Sequence, residues 1–398
     1  MTETETVRQK DKPLANSSKL GQVKGFRDFS GEEAEKRAKI RKIIVETFEQ
    51  YGFEPAETPI IEQEEFVKGE NANDEAVRDT FKLEDRGKRK LALRYEFTFQ
   101  LKRLAKNKKL PYKRYQIGEL FRDEPIREGR TRQFTQCDID VVSSTVKDEA
   151  ECLTVFSEIF NRLNIDATIY FNNRKLLNEI LEKEKINPKD RNNVLREIDK
   201  LDKLSEKEIE KNLKRYGAEK VLKIFKQKES FFEKYSSYSE IKGLKDSCKL
   251  FEVKAVFRPF LVRGLSYYNG SVFEVWSKKL KVSVCGGGSY LVNGIQSTGI
   301  SAGLEPIILL SEKFKIEKEK YLVISLGQDK EAIELAEKLR SKNEIVSLYY
   351  GKPSKALDYA NSYNFGKVIF VGEKEVKAKK FKVKDMDTGK EKSLDFST

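Results

Sequence analysis

No histidine occurs anywhere in the 398 residues. That absence removes an imidazole general base, a Ser/His/Asp triad and any histidine-ligated metal. Chemistry must run on carboxylates, guanidiniums, backbone groups, the substrate itself and metal ions carried in with it. Cysteine is scarce: Cys137, Cys152, Cys248 and Cys285 stand far apart with no CxxC spacing. They suggest neither a zinc site nor a disulfide framework, and predict reduced, partly buried thiols. Long apolar runs are missing too. No stretch approaches membrane-spanning length and MTETETVRQKDK lacks the apolar core of a signal peptide, so a cytoplasmic protein with no membrane partner is expected. No repeat of about 20–50 residues is visible.

Charge, by contrast, is plentiful. Lys and Arg number 78 against 65 Asp and Glu, a net +13. The excess favours a polyanionic partner, nucleic acid first, although it is spread along the chain as on a generally charged surface. The length allows two or three domains and a sizeable core.

The most informative stretch is FRDEPIREGRTRQFTQCDID, residues 121–140. YQIGEL precedes it and VVSS follows, so it reads as strand, charged loop and strand, an antiparallel pair whose loop holds Pro125 and Gly129. Arg122, Arg127, Arg130 and Arg132 crowd it, with Glu124 and Glu128 between. Guanidiniums fixed on paired strands suit a polyanionic ligand, because each offers a fork of donors matched to phosphate oxygens. Gln136 and Asp140, four apart, point to one side of their strand. One wall then takes phosphate at one end and a small polar molecule at the other.

Around it, a polar tail over residues 1–20 is expected to be mobile. A helix follows, capped by Ser30, with Ile40, Ile43, Ile44, Phe48 and Tyr51 on its apolar side and Gly52 at its end. FEPAETPIIE reads as a strand interrupted by Pro59, which belongs at a sheet edge or at a sheet joining another subunit. A turn at Asp85, Arg86 and Gly87 makes a hairpin leading into LALRYEFTFQLKRL, where Arg94, Glu96 and Thr98 alternate on one strand face. A carboxylate beside a hydroxyl suits an ammonium group. A helix and a strand then lead to residues 173–250, rich in Lys, Glu and Leu at helical spacing, a helical insertion. FRPFLVRGLSYYNGSVFEVW reads as a strand, a turn at Gly264 and a second strand closing a hairpin around Asn269 and Gly270. In CGGGSYLVNG, three glycines let backbone approach a ligand closely. STGISAGLEPIILL is a strand entering a helix. From about residue 318, strands and helices alternate as a small α/β domain made basic by Lys352, Lys355, Lys377, Lys379, Lys380 and Lys382, and closed by a hairpin around Asp387, Thr388 and Gly389.

These stretches, in this order, resemble the class II aminoacyl-tRNA synthetases in the form of the histidyl-tRNA synthetases of archaeal or eukaryote-like type. Residues 121–140 resemble motif 2. The long helix and proline-bearing strand resemble motif 1, a dimer element, and LRYEFT is similar to the segment that holds the amino group of histidine. LVRGLSYYNGSVFE resembles the histidyl-specific signature RGLDYYTGTVFE, with Ser266 in place of Asp. GGGSYL stands where GGRYD is commoner, Ser289 and Leu291 replacing charged residues. STGISAGLEPIILLSEKF resembles motif 3, except that Pro306 occupies the place of an arginine that stacks on adenine.

The resemblance implies an α+β catalytic core built on an antiparallel sheet over residues 21–172 and 251–316, a helical insertion over 173–250 and a C-terminal anticodon-binding-like α/β domain over 317–398. It implies histidine–tRNA ligation, in which L-histidine reacts with ATP to give histidyl-adenylate and pyrophosphate and then passes to the 3′ end of tRNA(His). Arg122 and Arg263 would face the α-phosphate. Glu96, Phe97, Thr98, Gln136, Asp140, Tyr267, Tyr268 and Tyr290 would bind histidine. Arg122, Glu124, Arg130, Phe134 and Glu305 would bind ATP, with Phe134 stacking on adenine, and Mg²⁺ would accompany the nucleotide through ligands the sequence does not reveal. A homodimer is implied. The alternative is a non-catalytic synthetase-like protein that binds histidine or tRNA for regulation, suggested by Pro306, Ser266 and Ser289. A chain without histidine is also one that a cell short of charged tRNA(His) could still translate.

Overall fold

The computed structural model describes residues 21–68, 79–126, 129–202, 204–263, 267–280, 283–314 and 320–395. The readings placed on residues 1–20 and on Arg127, Glu128, Gly264 and Ser266 lie outside them. Two compact units emerge, one holding Ile43–Ser311 and the residues before Phe29, the other holding Phe29–Lys42 and Glu312–Thr398.

Helix α1, Gly31–Gln50, buries Ile40, Ile44 and Phe48 completely and ends before Gly52, whose φ of +77° suits glycine. Each such apolar side chain contributes about 1.5–3 kcal/mol on leaving water. In the stretch expected to be one strand, the chain makes two short ones on either side of Pro59, β1 (Glu54–Pro55) and β2 (Ile61–Gln63), which join different sheets. Helix α2, Glu64–Lys68, follows, then β3 (Lys82–Glu84) and β4 (Lys90–Leu93), which form a three-stranded sheet with β2. Helix α3 spans Thr98–Leu104. The strand expected through Thr98 therefore stops at Leu93. Arg94 turns away into the core, its Nε donating to the Glu119 carbonyl at 2.9 Å and Nη1 to the Thr58 carbonyl at 2.6 Å.

β5 (Tyr112–Phe121) and β6 (Gln133–Val142) are the hairpin read from the sequence, paired antiparallel from Tyr112↔Val142 to Phe121↔Gln133. Helix α4, Val146–Arg162, carries a capping box of Thr145 and Asp148, and β7 is Thr168–Asn173. Helices α5 (Arg174–Lys183), α6 (Arg191–Ile198), α7 (Glu206–Lys214), α8 (Glu219–Phe225) and α9 (Tyr238–Leu250) fill the lysine-rich stretch. α9 packs against α4 through a face that buries Ile241, Leu244 and Cys248. β8 is Ala255–Phe257, β9 Ser271–Trp276, β10 Ser283–Val292 and β11 Ile295–Gly303, and α10 covers Leu304–Leu310.

The eight-stranded sheet runs β1-β5-β6-β11-β10-β9-β7-β8, antiparallel except where β1 joins β5 and β7 joins β8. β8 and β9 are not a hairpin: β8 pairs with β7, and β9 lies between β7 and β10. A chain that returns to the opposite side of an intervening strand gives the same local pattern of two apolar runs around glycines, so the pattern alone could not separate the two. All four cysteines are free and buried.

In the second unit, β12 (Lys320–Ser325), β13 (Ile345–Tyr350) and β14 (Lys367–Val371) are parallel, and β15 (Lys380–Asp385) with β16 (Glu391–Asp395) adds an antiparallel hairpin, in the order β13-β12-β14-β15-β16. Helices α11 (Asp329–Arg340), α12 (Pro353–Ser362) and α13 (Glu373–Ala378) connect them. Leu335, Ala336, Val323 and Ile369 fill one apolar cluster, Ala356, Ala360, Leu322 and Val368 another.

Candidate active site

A cleft of about 790 Å³ opens on the eight-stranded sheet. Period-two alternation along β6 brings Gln136, Asp138 and Asp140 to its floor. Arg122, Glu124 and Arg130 line it from the loop after β5, Glu96 and Thr98 from the approach to α3, Arg263, Tyr267 and Tyr268 from the stretch before β9, and Tyr290 from β10. Eleven of the fourteen residues singled out in the sequence for histidine or ATP thus face one cavity.

Arg122 is held by backbone, its Nε and Nη2 donating to the Tyr95 carbonyl at 3.2 and 3.1 Å. Its position is therefore coupled to the segment that carries Glu96. Its guanidinium carbon lies 5.1 Å from the centre of the Phe134 ring. Arg263 sits at a φ of +61°, uncommon for a side chain this large. Nη1 donates to Glu274 Oε1 at 2.7 Å, and the other oxygen of Glu274 accepts from Trp276 Nε1 at 2.7 Å. Burial would lower the guanidinium's proton affinity, but Glu274 and Tyr268 outweigh it, so Arg263 stays charged. A Cβ at Gly286 would lie 2.3 Å from that guanidinium. The first glycine of CGGG is thus the seat of the arginine.

Beside Arg263, Tyr267, Tyr268 and Tyr290 cluster with ring centres 4.9, 5.6 and 6.5 Å apart. Burial pushes all three hydroxyls above their ordinary pKa, so they serve as neutral donors. Tyr290 donates to Asp140 Oδ1. Asp140 Oδ2 pairs with Arg114 Nη2 at 2.8 Å, and Arg114 is wholly buried. Gly299 faces Asp140 across the ladder, and a Cβ there would stand 2.1 Å from Asp140 Oδ1.

The remaining three residues are not among those lining the cleft. Phe97 is fully buried, and its carbonyl accepts from Arg114 Nη2 at 3.4 Å. Phe134 touches the cleft through Arg122. Glu305, at the start of α10, accepts the Thr135 N–H at 3.3 and 3.2 Å, which fixes the strand bearing Phe134. Ser289 donates to the buried Glu149 on α4, away from the cleft. Pro306 is buried in the first turn of α10, a position where its missing N–H costs nothing.

Sequence reasoning passed over Asp138, Arg114 and Glu274. Asp138 lies midway between Gln136 and Asp140, so alternation alone marks it. Arg114 is the ladder partner of Asp140, which counting outward from the hairpin loop would have found. Asn193, Arg196, Lys200 and Tyr216 also reach the cleft, and nothing in their helical spacing signals it. No group of three or more Cys, Asp or Glu side chains poised to hold a metal ion occurs among the described residues.

A largely antiparallel sheet flanked by helices, with arginines and a tyrosine-lined carboxylate pocket in one cleft, defines a class II aminoacyl-tRNA synthetase. Residues 25–307 match the family model described as histidyl-tRNA synthetase, and residues 310–398 the anticodon binding domain. The chain belongs to the histidyl-tRNA synthetase family. It is 33% identical to histidine–tRNA ligase 1 of Bacillus cereus over 415 positions, covering 94% of this chain and 95% of that one. It is also 33% identical to the histidine–tRNA ligase of Methanocaldococcus jannaschii, over 93% and 96%. In fold it is similar to the histidyl-tRNA synthetase of Nostoc sp. PCC 7120, with a TM-score of 0.83 at 24% identity over 94% and 97% of the two chains. A Bacillus halodurans protein described as an ATP phosphoribosyltransferase regulatory subunit/histidyl-tRNA synthetase shares the fold with a TM-score of 0.72, at 20% identity over 91% and 99%.

Proposed function

We propose that this protein activates L-histidine with ATP and transfers it to tRNA(His). The observation that carries the reading is the meeting of Arg122 and Arg263, from separate parts of the chain, in one cleft with the tyrosine and Asp140 pocket. The histidine carboxylate, ionised at neutral pH, needs no general base. One of its oxygens attacks the α-phosphorus of ATP in line, pyrophosphate leaves, and a mixed anhydride of histidine and AMP remains. Arg122 and Arg263 offset the charge that grows on the phosphate oxygens, which is electrostatic catalysis by preorganised donors. Alignment of the two substrates supplies much of the rest. The 3′-terminal ribose hydroxyl of the tRNA then attacks the carbonyl carbon and AMP departs.

Glu96, Thr98 and Gln136 hold the ammonium group, and Asp140 with Tyr268 faces the imidazole. Asp140 Oδ1 retains a lone pair beyond the one given to Tyr290, and Oδ2, ion-paired with Arg114, accepts no hydrogen bond. Phe134 stacks on adenine while Glu124 and Arg130 flank the phosphates, and Glu305 acts from behind by fixing the strand. Mg²⁺ enters as part of the MgATP substrate. The helical insertion over 173–250 belongs to the first unit, and the α/β domain read from residue 317 onward meets the anticodon arm. The three-stranded β2-β4-β3 sheet exposes Ile61 and Leu83, next to an exposed Ile60, apolar surface that a second copy would cover in a cytoplasmic homodimer. The regulatory alternative is not favoured, since both arginines and the whole pocket are kept.

Aminoacylation with labelled amino acids tests the assignment. Histidine alone among the standard amino acids is expected to become acid-precipitable on tRNA. Failure of folded protein to charge tRNA(His) at saturating MgATP would overturn it.

A further inference from the structure

The cleft floor carries a carboxyl that the reaction above does not use. Asp138 is 5% exposed yet lines the cavity. Gln136 Nε2 donates to its Oδ2 at 3.1 Å, whereas its Oδ1 is buried with no hydrogen-bond partner. The charged groups facing it are Arg114 from β5, Asp140 on its own strand and Glu96 from the segment before α3. Arg114 is already committed to Asp140. One fully buried cation therefore stands against three buried carboxyls. A buried acceptor left open toward a binding cavity is complementary to a donor that arrives with the ligand.

We propose that Asp138 is a specificity residue of the amino-acid pocket, its Oδ1 accepting a hydrogen bond from the ammonium group of bound histidine. The inference rests on the proposed histidine-activating reading of this cleft. Burial, with Asp140 and Glu96 adding to it against Arg114 and Gln136, raises the Asp138 pKa to about 8. Before histidine binds, Asp138 is thus protonated at neutral pH. When the ammonium docks, the carboxyl ionises against it and the released proton passes to solvent. Histidine binding is then coupled to proton release, and amino acids are selected over analogues in which the ammonium is missing.

Asp138→Asn keeps the shape and cannot ionise. In histidine-dependent pyrophosphate exchange at saturating MgATP, the variant's KM for histidine is expected to rise about tenfold or more, the value of a charge-assisted hydrogen bond. Its kcat should stay within a few-fold and its KM for ATP should not move. Calorimetric titration with histidine near pH 7, in two buffers of different ionisation enthalpy, should show net proton release by the unmodified protein and less by the variant. The imidazole of free histidine contributes equally to both. An unchanged histidine KM with an unchanged proton count would overturn the proposal. So would absence of proton release by the unmodified protein, a result that does not depend on the variant folding. An unmodified protein with no histidine-dependent exchange and no binding heat would instead sink the activation reading beneath it.

Discussion

The two units use charge in opposite ways. The eight-stranded unit buries Arg94, Glu96, Arg114, Asp138, Asp140 and Glu149, whereas Ser325 is the buried polar side chain among the described residues of the five-stranded unit after residue 311. The lysines of the latter, Lys352, Lys355 and Lys380 among them, are exposed. Buried charge costs several kcal/mol of desolvation per ion and survives only where partners are fixed, so it suits recognition of one small molecule. Exposed charge costs little and acts through salt-sensitive attraction, which suits the backbone of an RNA. Precision of small-molecule choice therefore belongs to the first unit, and adhesion to the polyanion to the second.

The comparison breaks first at Arg114. Arg114→Met leaves Asp140 buried without its cation and should destabilise the first unit by about 3–5 kcal/mol, read as a lower denaturant midpoint. A loss below about 1 kcal/mol would mean that Asp140 is already neutral there and that Arg114 is not its counter-charge. In the second unit, Lys352→Ala, Lys355→Ala and Lys380→Ala together should raise the KM for tRNA about tenfold. They should also flatten its salt dependence by about one unit of slope per lost phosphate contact. Histidine-dependent pyrophosphate exchange should not change, because that step needs no tRNA.

Much of this division was legible in the sequence, for reasons that differ by region. The β5–β6 hairpin, the entry of β11 into α10 and the α/β alternation after residue 320 are local patterns, and the structure keeps them. Arg122 and Arg263 could be singled out because the stretches around them resemble family motifs, which are local as well. What could not be read was strand order: β8 lying beyond β7, and Arg114 completing Asp140 from the neighbouring strand, are set by long-range pairing. Thr98 opening a helix rather than ending a strand was missed because RYEFTF alternates like a strand until tertiary packing draws Arg94 inward.

Two smaller effects sharpen the picture. Asp138 is held protonated to about pH 8 in the folded protein, largely by burial, while the unfolded chain releases that proton near the ordinary carboxyl value of about 3.9. The folded state binds the extra proton across that window, so its stability falls as pH rises from about 4 to 8. Asp138→Asn removes the penalty and should melt several degrees higher than the unmodified protein at pH 8, with no gain at pH 4. Equal melting at both pH values would show that Asp138 ionises freely in the fold. Last, Pro306→Arg should lower the KM for ATP about twofold, roughly 0.5 kcal/mol of cation–π contact. The gain is small because residue 306 is buried beside Gly303, where an added Cβ would lie 3.0 Å from Pro306 Cδ. An unchanged KM would show that another group, Phe134 first, already supplies the stacking.

The central claim, that two fixed guanidiniums serve one phosphoryl transfer, is tested most directly by histidine-dependent ATP–pyrophosphate exchange in the unmodified protein, in Arg122→Ala and in Arg263→Ala. Exchange should be brisk in the first and fall about 10²- to 10³-fold in each variant, while all three retain tRNA equally. Full exchange in either variant, or none in the unmodified protein, would contradict it.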